Sequence, residues 1–134
     1  MNSSQIQAVR VIRHVRIVKN DEWGDTEISS QGGFTFVFSI NYVSRIVNVY
    51  FSTCSTKENF CKFDGIRYAE ELGVERSIDL DQFQKFANND NVRGFVSAYI
   101  SIIRATRTLD GNSHREDELL KKLDKVTTYL NLKA

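Results

Sequence analysis

Hydrophobic and polar residues alternate along the first half of the chain, then switch to spacings of three and four. Val9, Val11, Val15 and Ile17 share one parity, while Arg10, Ile12, His14, Arg16 and Val18 share the other. A period of two predicts a strand, because successive side chains point to opposite faces. Arg13 interrupts the apolar parity. Asn20 to Asp25 breaks the pattern with charge and one glycine, and Gln31-Gly32-Gly33 reads as a second turn. The clearest strand follows, with Phe34, Phe36, Phe38, Ile40 and Tyr42 alternating with Thr35, Val37, Ser39 and Asn41. Tyr42 to Arg45 is the expected hairpin connection. In the next strand, Ile46 to Phe51, Val47, Val49 and Phe51 face one side and Ile46, Asn48 and Tyr50 the other. Apolar groups on both sides place this strand inside the sheet.

The second half has the helical period. Gly65 to Leu72 spans two turns, with Gly73 placed to end them. Asp79 or Asp81 caps a short helix through Phe83 and Phe86 that closes at Asn88-Asn89. Asp90 is the expected N-cap of a longer helix whose stripe is Val92, Phe95, Val96, Tyr99, Ile100 and Ile103. Asp110-Gly111-Asn112 ends it. Ser113 and Glu116 form a capping box for a last helix carrying Leu119, Leu120, Leu123, Val126 and Leu130 on one stripe. The expectation is an α+β fold: an N-terminal antiparallel β-meander of three or four strands packed against C-terminal antiparallel helices. It is a single domain over 1–134, with sheet in 1–54 and a mainly helical 55–134.

Composition narrows the class without naming a function. Hydrophobic residues make up 41% and charged residues 26%, enough for an ordinary core and unlike a disordered tail. A formal charge of +1 argues against coating nucleic acid by bulk charge. Apolar runs fall far short of the roughly 20 residues of a membrane span. The start, MNSSQIQAVRVIRHVRIV, lacks the unbroken apolar core of a secretory signal. A soluble, cytosolic protein is expected. Cys54 and Cys61 are too few for a disulfide framework and lie seven positions apart, not at a CxxC spacing. With only His14 and His114 to help, no four-ligand zinc site can be assembled. Reduced, partly buried thiols and no metal or cofactor are expected.

Catalytic signatures are missing too. The chain contains no nucleophile elbow, phosphate-binding Walker loop, HExxH helix or dinucleotide fingerprint. His14, among arginines, and His114, after a helix cap, read as surface residues. A non-catalytic protein is expected.

Charge is more informative when mapped along the chain. Residues 1–20 hold Arg10, Arg13, Arg16 and Lys19 and no acid, whereas residues 21–33 hold Asp21, Glu22, Asp25 and Glu27 and no base. These segments either neutralise one another across a sheet or form a basic strip for phosphates with an acidic rim. On the long helix, Arg93, Ser97, Arg104 and Arg107 line the flank beside the apolar stripe. They either hold phosphate bidentately or pair with Glu70, Glu71 or Asp79. The stretch from Phe51 to Arg67 combines hydroxyls (Ser52, Thr53, Ser55, Thr56), cations (Lys57, Lys62, Arg67) and a helix entrance near Gly65. Those are the parts of an anion site, and Phe60 and Phe63 offer flat surfaces for a purine. An ordinary polar strand-to-helix connection accounts for the same residues.

The stretch FSTCSTKENFCKFDGIRYAEELG resembles a segment of small phage proteins of the form F-S-x-C-S-x-K-[DE]-N-F-x-K-x-x-G-R-x-x-A. These are the first type of phage Thoeris anti-defence proteins. Phe51, Ser52, Cys54, Ser55, Lys57, Glu58, Asn59, Phe60, Lys62, Gly65 and Ala69 match that form. Ile66 stands where the form has arginine, and Arg67 follows one position later. The resemblance implies an antiparallel sheet followed by two helices, with no catalysis. It implies a sponge in the host cytoplasm that holds cyclic ADP-ribose isomers made by TIR-domain enzymes, and in some members cyclic oligonucleotides. It also implies assembly into dimers or larger homo-oligomers. Adenine would stack on an aromatic ring and arginines would hold the diphosphate. Phe60 and Phe83 are then the stacking candidates, with Lys57, Lys62, Arg67, Arg93, Arg104 and Arg107 for charge and Asn91 and Ser97 for hydrogen bonds. Of these, only the residues within 51–69 follow from the motif; the rest are chosen by charge and spacing. Two other classes remain open: an inhibitor that binds a host protein or nucleic acid through the basic strip, and an enzyme acting on nucleotides.

Overall fold

In the computed structural model, which describes residues 8–20, 22–86, 92–110 and 114–131, the alternating segments form antiparallel sheet. The strands are β1 (Ala8–Val15), β2 (Val18–Asn20), β3 (Thr26–Ile28), β4 (Gln31–Asn41), β5 (Ile46–Asn59) and β6 (Arg76–Asp79). The helices are α1 (Lys62–Leu72), α2 (Leu80–Phe86), α3 (Val92–Asp110) and α4 (His114–Asn131). The main sheet runs β1-β4-β5-β6, and β2 pairs with β3 in a separate ribbon. The protein is α+β, a four-stranded antiparallel sheet with C-terminal helices.

Cross-strand register fixes what each face carries, since directly paired residues point to the same side. Val11, Arg13 and Val15 pair with Phe38, Phe36 and Phe34, which pair in turn with Val49, Phe51 and Thr53. This face meets the later helices. Phe36 packs on Tyr99 of α3, Phe38 on Phe83 of α2 and Phe95 of α3, and Phe34 on Tyr129 of α4. The other face carries Ile12, Val37 and Tyr50, then His14, Thr35 and Ser52. Helix α1 covers it. The Ser52 hydroxyl donates to the Gly65 carbonyl at 2.8 Å, and Val37 and Ala69 are fully buried. β4 is therefore buried on both sides, the condition that favours a continuous apolar run.

Local signals explain the joints. The Asn41 side chain accepts from the N–H groups of Val43 and Ser44, both at 2.9 Å, and closes the 42–45 turn. Of the two candidate caps for α2, Asp79 accepts from the Gln82 N–H at 3.2 Å, and Asp81 pairs with Arg45 instead. The α3 stripe is wider than expected and includes buried Ala98 and Ile102. It is wider because α2 and α4 pack on this helix as well as the sheet.

Three expectations change. Gln31-Gly32-Gly33 is no turn: it opens β4, with a bulge between Gln31 and Gly33. Gly33 has φ 145°, and a Cβ there would meet the Phe60 ring at 2.7 Å, so the bulge lets that ring approach the backbone. The strand beginning at Ile46 does not stop near Phe51 but reaches Asn59, because the bulge lets Gln31 pair with Asn59. Sheet thus extends past residue 54, β6 lies within the helical half, and α1 begins at Lys62 rather than Gly65. The β2–β3 ribbon sets Lys19 opposite Glu27, so part of the acidic segment faces the basic one. The expected closure at Asn88-Asn89, the Asp90 cap, the Gly111-Asn112 turn and the Ser113 cap lie outside the described residues. Among the described residues no helix is long and apolar enough to cross a membrane.

Candidate anion-binding site

The strand-to-helix junction does not gather the cations expected of it. Its cavity, about 280 Å³, is lined by Glu58, Asp64, Asn59, both cysteines and several hydroxyls, with no lysine or arginine on its wall. Two carboxylates repel a diphosphate. Lys57 is exposed on the last turn of β5. Arg67 leans on the Tyr68 ring, 4.9 Å from its centroid, and faces Asp64 at 3.4 Å. Cys54 is half-buried, Cys61 is exposed, and both are free thiols.

The helix-flank candidates disperse as well. Arg104 meets Asp124 of α4 at 2.8 Å, not Glu70, Glu71 or Asp79. Ser97 is exposed on α3. Phe83 is only 1% exposed and sits between Phe38 and Phe95, so its faces are closed to a ligand. Asn91 and the side chains of Arg93 and Arg107 lie outside the described residues.

Positive charge collects instead where β1 ends. Arg13, His14, Val15 and Arg16 line a cavity of about 200 Å³ with Val18, Ile28, Tyr129 and Leu130. Its wall is mostly apolar, with the two arginines as its cations. Neither Arg13 nor Arg16 forms an ion pair among the described residues, and the Nε of each is buried without a hydrogen-bond partner. Leaving a buried donor unmatched costs about 1–3 kcal/mol. Arginine cannot relieve that cost by losing its proton.

Neutral contacts hold the arginines in place. The Arg16 guanidinium donates to the Ser29 carbonyl at 2.9 Å and lies 4.5 Å from the Phe60 ring centroid. Phe60, a candidate by motif, thus backs an arginine on one face and meets the His14 ring edge-on at 5.4 Å. Lys62 adds charge nearby. His14 shares a 3.0 Å hydrogen bond with the buried Thr35 hydroxyl. Its pKa lies below the ordinary 6.5, first through burial and then through the charges of Lys62, Arg16 and Arg13.

No protein-family model, curated protein or solved structure matches this chain. What the pocket does must therefore be argued from its own chemistry.

Two guanidinium groups with no carboxylate partner among the described residues, and an imidazole whose pKa is lowered, line this small cavity and suit an oxyanion. Of the sequence-derived candidates, the structure brings Phe60 and Lys62 to this cluster. His14 is the residue the sequence undervalued, since nothing in its local pattern marks it as half-buried. Arg13 carried a signal: a charge at an apolar parity position. Among the described residues no cluster of His, Cys, Asp or Glu could hold a metal ion.

Proposed function

We propose that the protein binds and sequesters a small phosphate-bearing nucleotide signal without transforming it. The phosphate sits between Arg13 and Arg16. The observation that carries this reading is that Arg13 and Arg16, each with a buried Nε that lacks a hydrogen-bond partner among the described residues, line one cavity. An arriving oxyanion supplies both acceptors at once, and such charge-assisted bonds are the strong ones. The resemblance around Phe51 to Ala69 adds the ligand class, a cyclic ADP-ribose isomer.

A cavity of about 200 Å³ takes a phosphate and its adjoining sugar, whereas whole ligands of this class need pockets of roughly 300 Å³ or more. The remainder of the molecule lies across the mouth, where a second copy of the chain would complete the wall. Sequestration asks only for tight binding, not for complementarity to a transition state.

The test is calorimetry with glycocyclic ADP-ribose, followed by denaturation and assay of the released ligand. Binding with unchanged ligand recovered is expected. Arg13→Ala and Arg16→Ala should each weaken it by about 10- to 100-fold, from roughly 1.5–3 kcal/mol per charged hydrogen bond. No heat, with all ligand free in the filtrate, would overturn the reading. Consumption of the ligand would replace it with an enzymatic one.

A further inference from the structure

β1 has a hydrogen-bonded neighbour on one side only. β4 pairs with it, and among the described residues no strand takes its outer edge. An open edge presents a row of N–H and C=O groups to any extended chain, and folded proteins commonly protect it by shortness, proline, a bulge or charged side chains. β1 has only the last of these, Arg10 and Arg13, which repel a basic strand and leave the edge open to an acidic one. It runs for 8 residues without proline, and its register with β4 is unbroken from Ala8↔Asn41 to Val15↔Phe34. The opposite edge strand, β6, has only 4 residues.

Different surfaces flank this edge. On the α1 side, Ile12, Phe63 and Ile66 line a groove of about 570 Å³ together with Arg10, Arg67, Glu70 and Glu71, so it takes apolar rather than acidic side chains, and Phe63 is 83% exposed. On the other side stands Arg13, which has no ion pair among the described residues. Side chains of an added strand alternate between the faces, so one set enters the groove and the next set meets the arginine. Residues 8–20 hold Arg10, Arg13, Arg16 and Lys19 and no acid; Arg10 pairs with Glu70 across the groove and Lys19 faces Glu27, which leaves Arg13 and Arg16 as the charge without a carboxylate among the described residues.

We infer that the outer edge of β1 takes up, as an added strand, an extended segment of another protein in which large apolar and acidic side chains alternate. Main-chain hydrogen bonds hold the segment, while the groove and the arginine select it. A second copy of β1 is the poorer occupant because it brings like charge against like. This inference shares Arg13 with the ligand reading of the cavity but rests on the strand edge and the α1-side groove, which that reading does not use.

The probe is a synthetic seven-residue peptide alternating valine and glutamate, followed by fluorescence anisotropy and by amide exchange of the full chain. Two further versions carry N-methyl groups, one on the valine amides and one on the glutamate amides. Only one parity faces β1, so one methylated version should bind at least about tenfold more weakly and the other nearly as well as the parent. A valine–lysine peptide should also bind at least about tenfold more weakly. Exchange across Ala8–Val15 should slow, and the surface change Phe63→Ser should weaken binding. Equal affinity of the two methylated versions, equal affinity of the lysine peptide, or no binding at roughly 1 mM would each overturn the inference. None of these results bears on the nucleotide titration, so the two readings fail separately.

Discussion

Gly65→Ala tests whether the seat of α1 on the sheet is as close as the geometry demands. In an ordinary exposed helix this change stabilises by about 1 kcal/mol, through propensity alone. Here a Cβ at Gly65 would lie 2.2 Å from Thr35 Oγ1 and 3.1 Å from Thr35 Cβ. Thr35 cannot swing away freely. It is β-branched, 1% exposed, and hydrogen-bonded to His14. Overpacking of this kind costs roughly 1–3 kcal/mol, and disturbing the Ser52–Gly65 and His14–Thr35 hydrogen bonds adds about 1 kcal/mol each. The clash outweighs propensity, giving a net loss of about 2–4 kcal/mol. With a urea m-value of about 1–3 kcal/mol/M, the unfolding midpoint should fall by roughly 1–2 M. The assay is urea unfolding of four proteins: wild type, Gly65→Ala, Thr35→Ala and the double variant. Removing the threonine branch should reduce the cost of Gly65→Ala by at least about 1 kcal/mol, as expected for residues in contact. A raised midpoint in Gly65→Ala, or the same shift in both backgrounds, would refute the reasoning.

Further measurements probe the core and the charges. Phe83→Ala should destabilise by about 3–5 kcal/mol in chemical unfolding, because the ring is 1% exposed between Phe38 and Phe95. Arg104→Ala removes an exposed pair with Asp124, so stability should change by only about 0–1 kcal/mol, and ligand affinity in calorimetry should not change. His14 binds a proton less readily when folded than when unfolded, so it subtracts nothing above its ordinary 6.5. Below 6.5 it lowers stability, and the loss levels off once the pH passes under the depressed folded value. Between about pH 7.5 and pH 5.5 the wild type should therefore lose more stability than His14→Gln, which keeps a partner for Thr35. Equal losses would remove His14 from the account.

The sequence pattern carried most of the architecture because it records burial. Phe34, Phe36, Phe38 and Ile40 mark a core face by period alone, and the α3 and α4 stripes do the same at helical spacing. Bulges are less legible. Nothing at Gln31-Gly32-Gly33 distinguishes a turn from glycines that admit Phe60, since both require positive φ, and only the tertiary contact decides. That error shortened β5 and misplaced the junction. The candidate site was half legible. The motif pointed to Phe60 and Lys62, and the charge map pointed to Arg13 and Arg16. Their convergence depends on β5 being long enough to bring Phe60 beside β1, and that length is invisible without the bulge.

Distribution of counter-charges separates the arginines into two kinds. Arg10, Arg45, Arg67 and Arg104 each meet a carboxylate: Glu70, Asp81, Asp64 and Asp124. These arginines stand on surfaces where solvent screens the pair, and they contribute little beyond local tethering. Arg13 and Arg16 have buried Nε atoms yet no carboxylate partner among the described residues. Arg16 is fixed by a carbonyl and an aromatic ring, which orient a guanidinium without cancelling its charge. Burial first, and then the charges of Lys62, Arg16 and Arg13, lower the proton affinity of His14, which limits repulsion within the cluster. If stability alone governed this corner, a carboxylate opposite either arginine would serve it better, and the acidic segment at 21–33 lies close in sequence. Instead Glu27 faces Lys19 on the neighbouring ribbon. Unbalanced charge retained at a buried position makes physical sense when the balancing anion comes from outside the chain.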